Sequence, residues 1–146
     1  MTAKLDAQTR RLLDGRNFAT VATLEPDGSP QTSIVWMDRE GDTVVFSSTA
    51  DKRKVRNLRA DPRISITVID SANPYRSVDI RGTAELIEDP EKALPRRLSQ
   101  KYLGQDPPGE PEHLRRVIVR VLPHKVTGFA VPNPAESTGE SAPHSS

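Results

Sequence analysis

The sequence predicts a mainly β domain with flanking helices, closed as an antiparallel barrel rather than opened as a doubly wound sheet. Three observations point that way. Short runs rich in β-branched residues recur at even spacing. Turn signals separate them: EPDGS at 25–29, DREGD at 38–42 and SANPY at 71–75. The strand–helix alternation of a parallel sheet is missing.

Each element has a local reason. Residues 6–15 read as a short helix with Leu5, Leu12 and Leu13 on its apolar side and Gly15 at its stop. FATVATL and QTSIVWM flank EPDGS as a hairpin, DREGD is a second turn, and TVVFSS is the third strand of a meander. ADKRKVRNLRADP is helical in propensity. Val55 and Leu58 can face the core there, and Pro62 ends the helix. RISITVID (63–70) and RSVDIRGTAELIE (76–88) are strands, the second with a bulge expected at Gly82. Asp89-Pro90 reads as an N-cap followed by the first helical residue of a helix reaching about Leu103. After the loop GQDPPGEPEH, the run 115–130 supplies one or two strands interrupted near Pro123. Residues 1–131 are thus one folded domain. Residues 132–146 are a Pro/Ser-rich tail whose composition predicts disorder.

Composition narrows the function. With 21 basic and 20 acidic residues, the chain is no polyelectrolyte, so any affinity for anions must come from a local cluster. There is no cysteine, which excludes disulfides, thiolate catalysis and cysteine-bound metals. The absence of cysteine and of an apolar leader suits the cytoplasm. No apolar run approaches the roughly 20 residues of a membrane span. His113, His124 and His144 have no metal-ligand spacing, and no nucleophile elbow or carboxylate pair is present.

One local cluster stands out. SSTADKRKVRNLRADPR places Lys52, Arg53, Lys54, Arg56 and Arg59 at the start and along the body of the second helix. The macrodipole opposes a cation in the first turn by roughly 0.3–1 kcal/mol, and the cations repel one another. A bound anion reverses that sign, because free backbone N–H groups and side-chain cations converge on it. Ser47, Ser48 and Thr49 add hydroxyls just ahead of the helix. The glycines of a P-loop or dinucleotide fingerprint are missing. Few aromatics are available to stack bases, which argues against nucleic acid. The cluster therefore predicts a phosphate cradle, and the lack of acid–base groups predicts that a bound cofactor carries any chemistry.

Four pieces occur in order: a TLxxDGxPxxSxV hairpin, a strand ending in Ser/Thr, KxxNLRxDPRxS and a strand with xxxGxAxL. Together they resemble the split-barrel flavin and deazaflavin oxidoreductases. These are the pyridoxamine 5′-phosphate oxidase-like (PPOX-class) proteins, and in particular the actinobacterial group that uses coenzyme F-420. The resemblance implies a six-stranded antiparallel split β-barrel of the FMN-binding type, forming a homodimer with cofactor sites between subunits. It implies that Lys52 and Lys54, with Arg53, hold the cofactor phosphate and that Asn57 supports them. Ser47, Ser48 and Thr49 would line the approach, and Gln31, Ser33 and Val35, alternating on one strand face, would meet the ring. Tyr75, Arg76 and Ser77 would contact the cofactor across the groove, and Arg115 and Arg116 an acidic cofactor tail. Trp36, on the opposite strand face, is core or dimer interface. The full set of substrate-phosphate arginines and histidine of pyridoxamine 5′-phosphate oxidases proper is not found.

The implied function is F-420-dependent oxidoreduction: hydride transfer between the deazaflavin ring and an unsaturated small molecule, with no side chain as catalytic acid or base. The alternatives are FMN-dependent oxidation or reduction on the same fold, and a non-enzymatic carrier of flavin, deazaflavin or haem. Neither a metal, a nucleic acid nor a membrane partner is expected.

Overall fold

The computed structural model describes residues 2–130. Its elements, in order, are α1 (Ala7–Asp14), β1 (Ala19–Leu24), β2 (Pro30–Val35), β3 (Asp38–Glu40), β4 (Thr43–Thr49), α2 (Arg53–Ala60), β5 (Arg63–Ile69), β6 (Arg76–Glu88), α3 (Ala93–Leu103) and β7 (Arg116–Ala130). All strand pairs are antiparallel, in the order β2-β1-β5-β6-β7-β4-β3. The mainly β fold with flanking helices is as expected, with seven strands rather than six. The tail assigned to 132–146 lies outside the described residues.

The added strand is β3, in the segment read as a turn. Asp38, Arg39 and Glu40 pair with Val45, Val44 and Thr43, so the turn contracts to Gly41 and Asp42. Gly41 takes a φ of 60°, which its missing Cβ permits. The charges that made DREGD look like a loop are neutralised by distant residues. Arg97 meets Asp38 (2.9 Å) and Glu40 (2.6 Å), Arg120 meets Glu40 (2.6 Å), and Arg39 meets Asp14 (2.9 Å).

The helix ends follow side-chain chemistry. Asp6 caps α1 by accepting from the Thr9 N–H at 2.8 Å. Asp61 and Pro62 follow α2, whose Val55 and Leu58 are buried. The third helix begins at Ala93, not at Pro90. Asp89 still supplies the cap, because its buried carboxylate accepts from the N–H groups of Ala93 and Leu94, both at 3.0 Å. The intervening turn puts Lys92 at φ 56°.

The last strand is continuous through Pro123, where an interruption was expected. The irregularity expected there takes the form of a bulge: Arg81 pairs with Lys125 and Gly82 with Pro123, so His124 is the extra residue on β7. Gly82 packs so closely that a Cβ there would collide with the Leu122 carbonyl.

The main core fills the barrel with Leu12, Leu13, Val21, Met37, Phe46, Ile66 and Ile80 among others. A second cluster joins Val45 of β4 to Leu94 and Leu98 of α3, with Trp36 and Tyr102 against it. Trp36 stacks on Tyr102 (5.2 Å, 7°), so it belongs to this packing. The Tyr102 hydroxyl lies 2.5 Å from the Asn17 carbonyl, and Lys101 donates to the carbonyls of Leu13 (2.8 Å) and Met37 (2.9 Å). These bonds tie α3 to the end of α1 and the β2–β3 corner. The loop after α3 is held by Glu110, which meets Arg116 at 3.0 Å and Lys92 at 3.2 Å. Bonding to Arg116 first, then Lys92, lowers its pKa to about 2.

Two outcomes follow. Gly82→Ala should destabilise the fold by about 1–3 kcal/mol, because the obstacle is backbone, as measured by urea unfolding. Glu110, whose folded pKa is depressed, contributes stability that is complete above the usual carboxylate range and is lost as pH falls through about 2. The Glu110→Gln variant should therefore lose stability at neutral pH and show a flatter stability profile between about pH 5 and 2 in thermal melts.

Candidate functional site

The chain leaves β4 at Thr49 and enters α2 with Lys52 at the N-cap, so Lys52 sits just outside the first turn and Arg53 and Lys54 inside it. No side chain caps this helix. Asp51, the acid nearest the helix start, is instead bonded by the Thr49 hydroxyl, the largest of the effects that lower its pKa. Arg53 reaches Glu25 at 3.3 Å. Lys54 is half-buried, and burial, followed by repulsion from Lys52, lowers its pKa with no carboxylate offsetting either. The result is an uncapped N-terminus with a partly desolvated ammonium beside it. That arrangement favours an anion through both the macrodipole and direct charge.

Behind the helix, Asn57 is buried and donates from Nδ2 to Thr23 Oγ1 at 3.0 Å. Thr23 Oγ1 lies 3.2 Å from Gln31 Oε1 across the β1–β2 pair. Gln31 shares the inward face of β2 with Ser33 and with Val35, which reaches the main core. Ser33 Oγ is buried without a hydrogen-bond partner. A cavity of about 430 Å³ opens beside α2, lined by Leu24, Glu25, Arg53, Arg56 and Asn57. A second, of about 400 Å³, is lined by Thr23, Pro30, Ile64 and Thr83. Thr23 escaped the sequence reading. Its signal was there: in FATVATL it occupies the same strand face as Ala19 and Val21, both core residues, yet it is polar.

The remaining predicted residues lie elsewhere. Ser47, Ser48 and Thr49 do not form one row of hydroxyls. Ser48 shares the barrel-facing side of β4 with Val44 and Phe46, whereas Ser47 and Thr49 share the side of Val45, which packs against α3. Ser47 Oγ is buried without a partner. Tyr75 is 65% exposed. Arg76 lies 3.8 Å from Asp70, and Arg76 and Ser77 line a cleft of about 360 Å³ beneath Gln8 and Thr9 of α1. Ser77 pairs with Ile69 while Thr83 pairs with Arg63. The Tyr75–Ser77 segment therefore lies at the end of the β5–β6 hairpin away from Arg63, roughly 20 Å along the strands. Arg115 and Arg116 are not free cations, since they meet Glu88 and Glu110. His124 bonds Thr83 at 2.9 Å, and His144 lies outside the described residues. Among the described residues no group of three His, Asp or Glu could hold a metal, and no helix is long and apolar enough to cross a membrane.

A family model described as pyridoxamine 5′-phosphate oxidase matches residues 5–130. The chain belongs to the pyridoxamine 5′-phosphate oxidase family. Among solved structures, an F-420 reductase is 34% identical, with a TM-score of 0.73 over 81% of this chain and 94% of that one. A conserved hypothetical protein from Mycobacterium tuberculosis is 25% identical, with a TM-score of 0.73 over 96% of this chain and 95% of that one. A putative pyridoxamine 5′-phosphate oxidase from Listeria innocua shares the fold at 18% identity (TM-score 0.62, 81% and 91% covered). The family and split-barrel fold read from the ordered hairpin, KxxNLRxDPRxS and xxxGxAxL segments are thus shown, and with them an oxidoreductase-type scaffold.

The geometry at α2 yields one outcome for this pyridoxamine 5′-phosphate oxidase family member. An anion beside Lys54 stabilises its charged form, so affinity is complete where free Lys54 is protonated and falls as pH rises into the alkaline range. Lys54→Ala should weaken binding of a phosphate-bearing ligand by about 1.5–3 kcal/mol and flatten that alkaline fall, as read by titration across pH.

Proposed function

We propose that this protein is an F-420-dependent oxidoreductase acting on an unsaturated small molecule. The observation that carries the reading is the uncapped start of α2 with half-buried, carboxylate-free Lys54 beside it. That donor set fits a phosphate. The 34% identity to an F-420 reductase supports a deazaflavin as the group that bears it. When bound, the ring supplies the hydride chemistry.

The protein's own residues bind and orient. Lys52 and Lys54 hold the phosphate, and the first-turn N–H groups of α2 add donors. Asn57 braces the helix against β1. Gln31 and Ser33 present one strand face to the flat ring, with Val35 further along that face taken up by the core, and the Ser33 hydroxyl has no protein partner. No side chain in this arrangement is placed as acid or base, so the proton comes from water.

The working unit is a homodimer. Ile34 of β2 (70% exposed), Phe18 just before β1 (52%, its ring 5.9 Å from that of Tyr102) and Ile69 of β5 (45%) offer apolar surface that a second copy would cover. The distance from α2 to Tyr75, Arg76 and Ser77 within one chain supports a cofactor site completed by the partner's copy of that segment.

FMN is the second reading. It is favoured by the pairing of Arg115 and Arg116 with Glu88 and Glu110, which removes cations that an acidic deazaflavin tail would use.

Parallel titration of the apo-protein with F-420 and FMN decides between them. Tighter F-420 binding, with reduction of an enone or quinone acceptor by reduced F-420, is expected. Tighter FMN binding moves the protein to the flavin reading, and binding without turnover of any acceptor makes it a carrier. Sedimentation should give a dimer that Ile34→Lys dissociates; a monomeric wild type would overturn the shared site.

A further inference from the structure

The buried chain Asn57–Thr23–Gln31 has a direction, and one backbone carbonyl sets it. The Gln31 amide has two ends. One lies 3.2 Å from the Thr23 hydroxyl, and the other lies 3.1 Å from the Thr32 carbonyl oxygen. A carbonyl only accepts, so the Gln31 end facing Thr32 must be the NH2, and Oε1 must face Thr23. A threonine hydroxyl has one proton. That proton is consumed by Gln31 Oε1, so the Asn57 group 3.0 Å from Thr23 must donate to it. Every donor and acceptor role in the chain follows. Reversing the Asn57 link sets two acceptors against each other at a site where Thr23 is 1% and Asn57 4% exposed.

We infer that Thr23 is a positioning residue. It locks the Gln31 amide with Oε1 inward and one N–H of Nε2 outward, so that this edge of the site accepts a hydrogen-bond acceptor and rejects a donor. The placement suits that role. Thr23 borders one cavity, Asn57 borders the one beside α2, and Gln31 is half-buried directly opposite Thr23 on β2. The helix that carries the anion-binding cations is thereby linked through two side chains to the residue that would meet a ligand ring. The ligand class is a heterocycle whose edge presents a carbonyl or an unprotonated ring nitrogen toward Gln31, joined to a phosphate that reaches α2. This rests on the cofactor reading above and adds to it the polarity of the ring contact and the residue that sets it.

The test separates ring from phosphate. Wild type, Thr23→Ser, Thr23→Val and Gln31→Glu are titrated with FMN, riboflavin and F-420. Thr23→Ser keeps the hydroxyl and should stay within about threefold of wild type, while Thr23→Val should weaken every ring-bearing ligand about tenfold or more. The ratio of riboflavin to FMN affinity should be unchanged in Thr23→Val, because the phosphate contribution at α2 is untouched; a displaced helix would change it. Gln31→Glu keeps the shape at a half-exposed position but replaces the outward donor by an acceptor. It should show the same loss even if Thr23→Val does not fold. Unchanged ring affinity in Gln31→Glu, or failure of Thr23→Ser to rescue, overturns the inference while leaving the cofactor reading intact. If the wild type binds none of the three ligands, the cofactor reading falls, and side-chain amide NMR decides the relay by itself. Gln31 NH2 protons shifted from free-glutamine values and slowed in solvent exchange in wild type and Thr23→Ser, but moved to free-glutamine behaviour in a folded Thr23→Val, support it; free-glutamine behaviour in the wild type overturns it.

Discussion

The structure depends most on the long antiparallel pairing of β6 with β7. It runs from Arg76↔Ala130 to Glu88↔Val117 and joins two otherwise separate groups of strands: β2, β1 and β5 on one side, β4 and β3 on the other. Two long strands in such a ladder cannot stay flat, because the right-handed twist accumulates along them. The register shift at Arg81/Gly82 provides the bend that lets the sheet curl around one core. Gly82 is required there by contact, not by dihedral freedom, since the Leu122 carbonyl occupies the place a side chain would take. Pro123, with no N–H to donate, sits directly opposite, so the missing ladder bond and the missing side chain meet at one point.

The ends of this curl are closed by polar chemistry. Tyr102, Lys101 and Asn17 satisfy backbone carbonyls where α1, α3 and the β2–β3 corner meet, and Arg97 and Arg120 neutralise the acids of β3. Most basic side chains near an acid are thus committed to structure. The start of α2 differs, although Arg53 there reaches Glu25. Its cap is a lysine, its nearby aspartate is engaged by Thr49, and half-buried Lys54 has only Lys52 for electrostatic company. Like charges left together at an uncapped helix start are the basis of the proposed anion site.

Much of this was readable in advance, for identifiable reasons. Strands were legible where the side-chain period of two is regular, as in RISITVID, where Ile64, Ile66 and Val68 are all buried. Val55 and Leu58 gave the inner face of α2, and Pro62 gave its end. The misreadings differ in range. DREGD was judged by local propensity, and the distant Arg97 and Arg120 made it a strand. At α3 the reach is short: Asp89 caps Ala93 and Leu94, so the helix starts a few residues after Pro90. Pro123 keeps its irregularity as a bulge at His124 within a continuous β7. The site divides the same way. The cation cluster is contiguous in sequence and was visible. Thr23 was not, because its importance lies in Asn57, 34 residues away, and in Gln31 on the next strand.

By itself, then, the sequence determined what depends on neighbours: the periodicity of the strands, the helix stops, the absence of any cysteine thiol, and the charge placed against the dipole of α2. Tertiary structure alone decided what depends on which distant groups meet. It made β3 a strand by pairing its acids, spent Arg115 and Arg116 on Glu88 and Glu110, and split Ser47 and Thr49 from Ser48 across the sheet. It also gave the Asn57–Thr23–Gln31 chain its direction. The physical reason is range. Propensity and dipole act over one or two turns of chain, whereas hydrogen bonds and ion pairs are decided by contact, and contact between distant segments exists only once the sheet has closed.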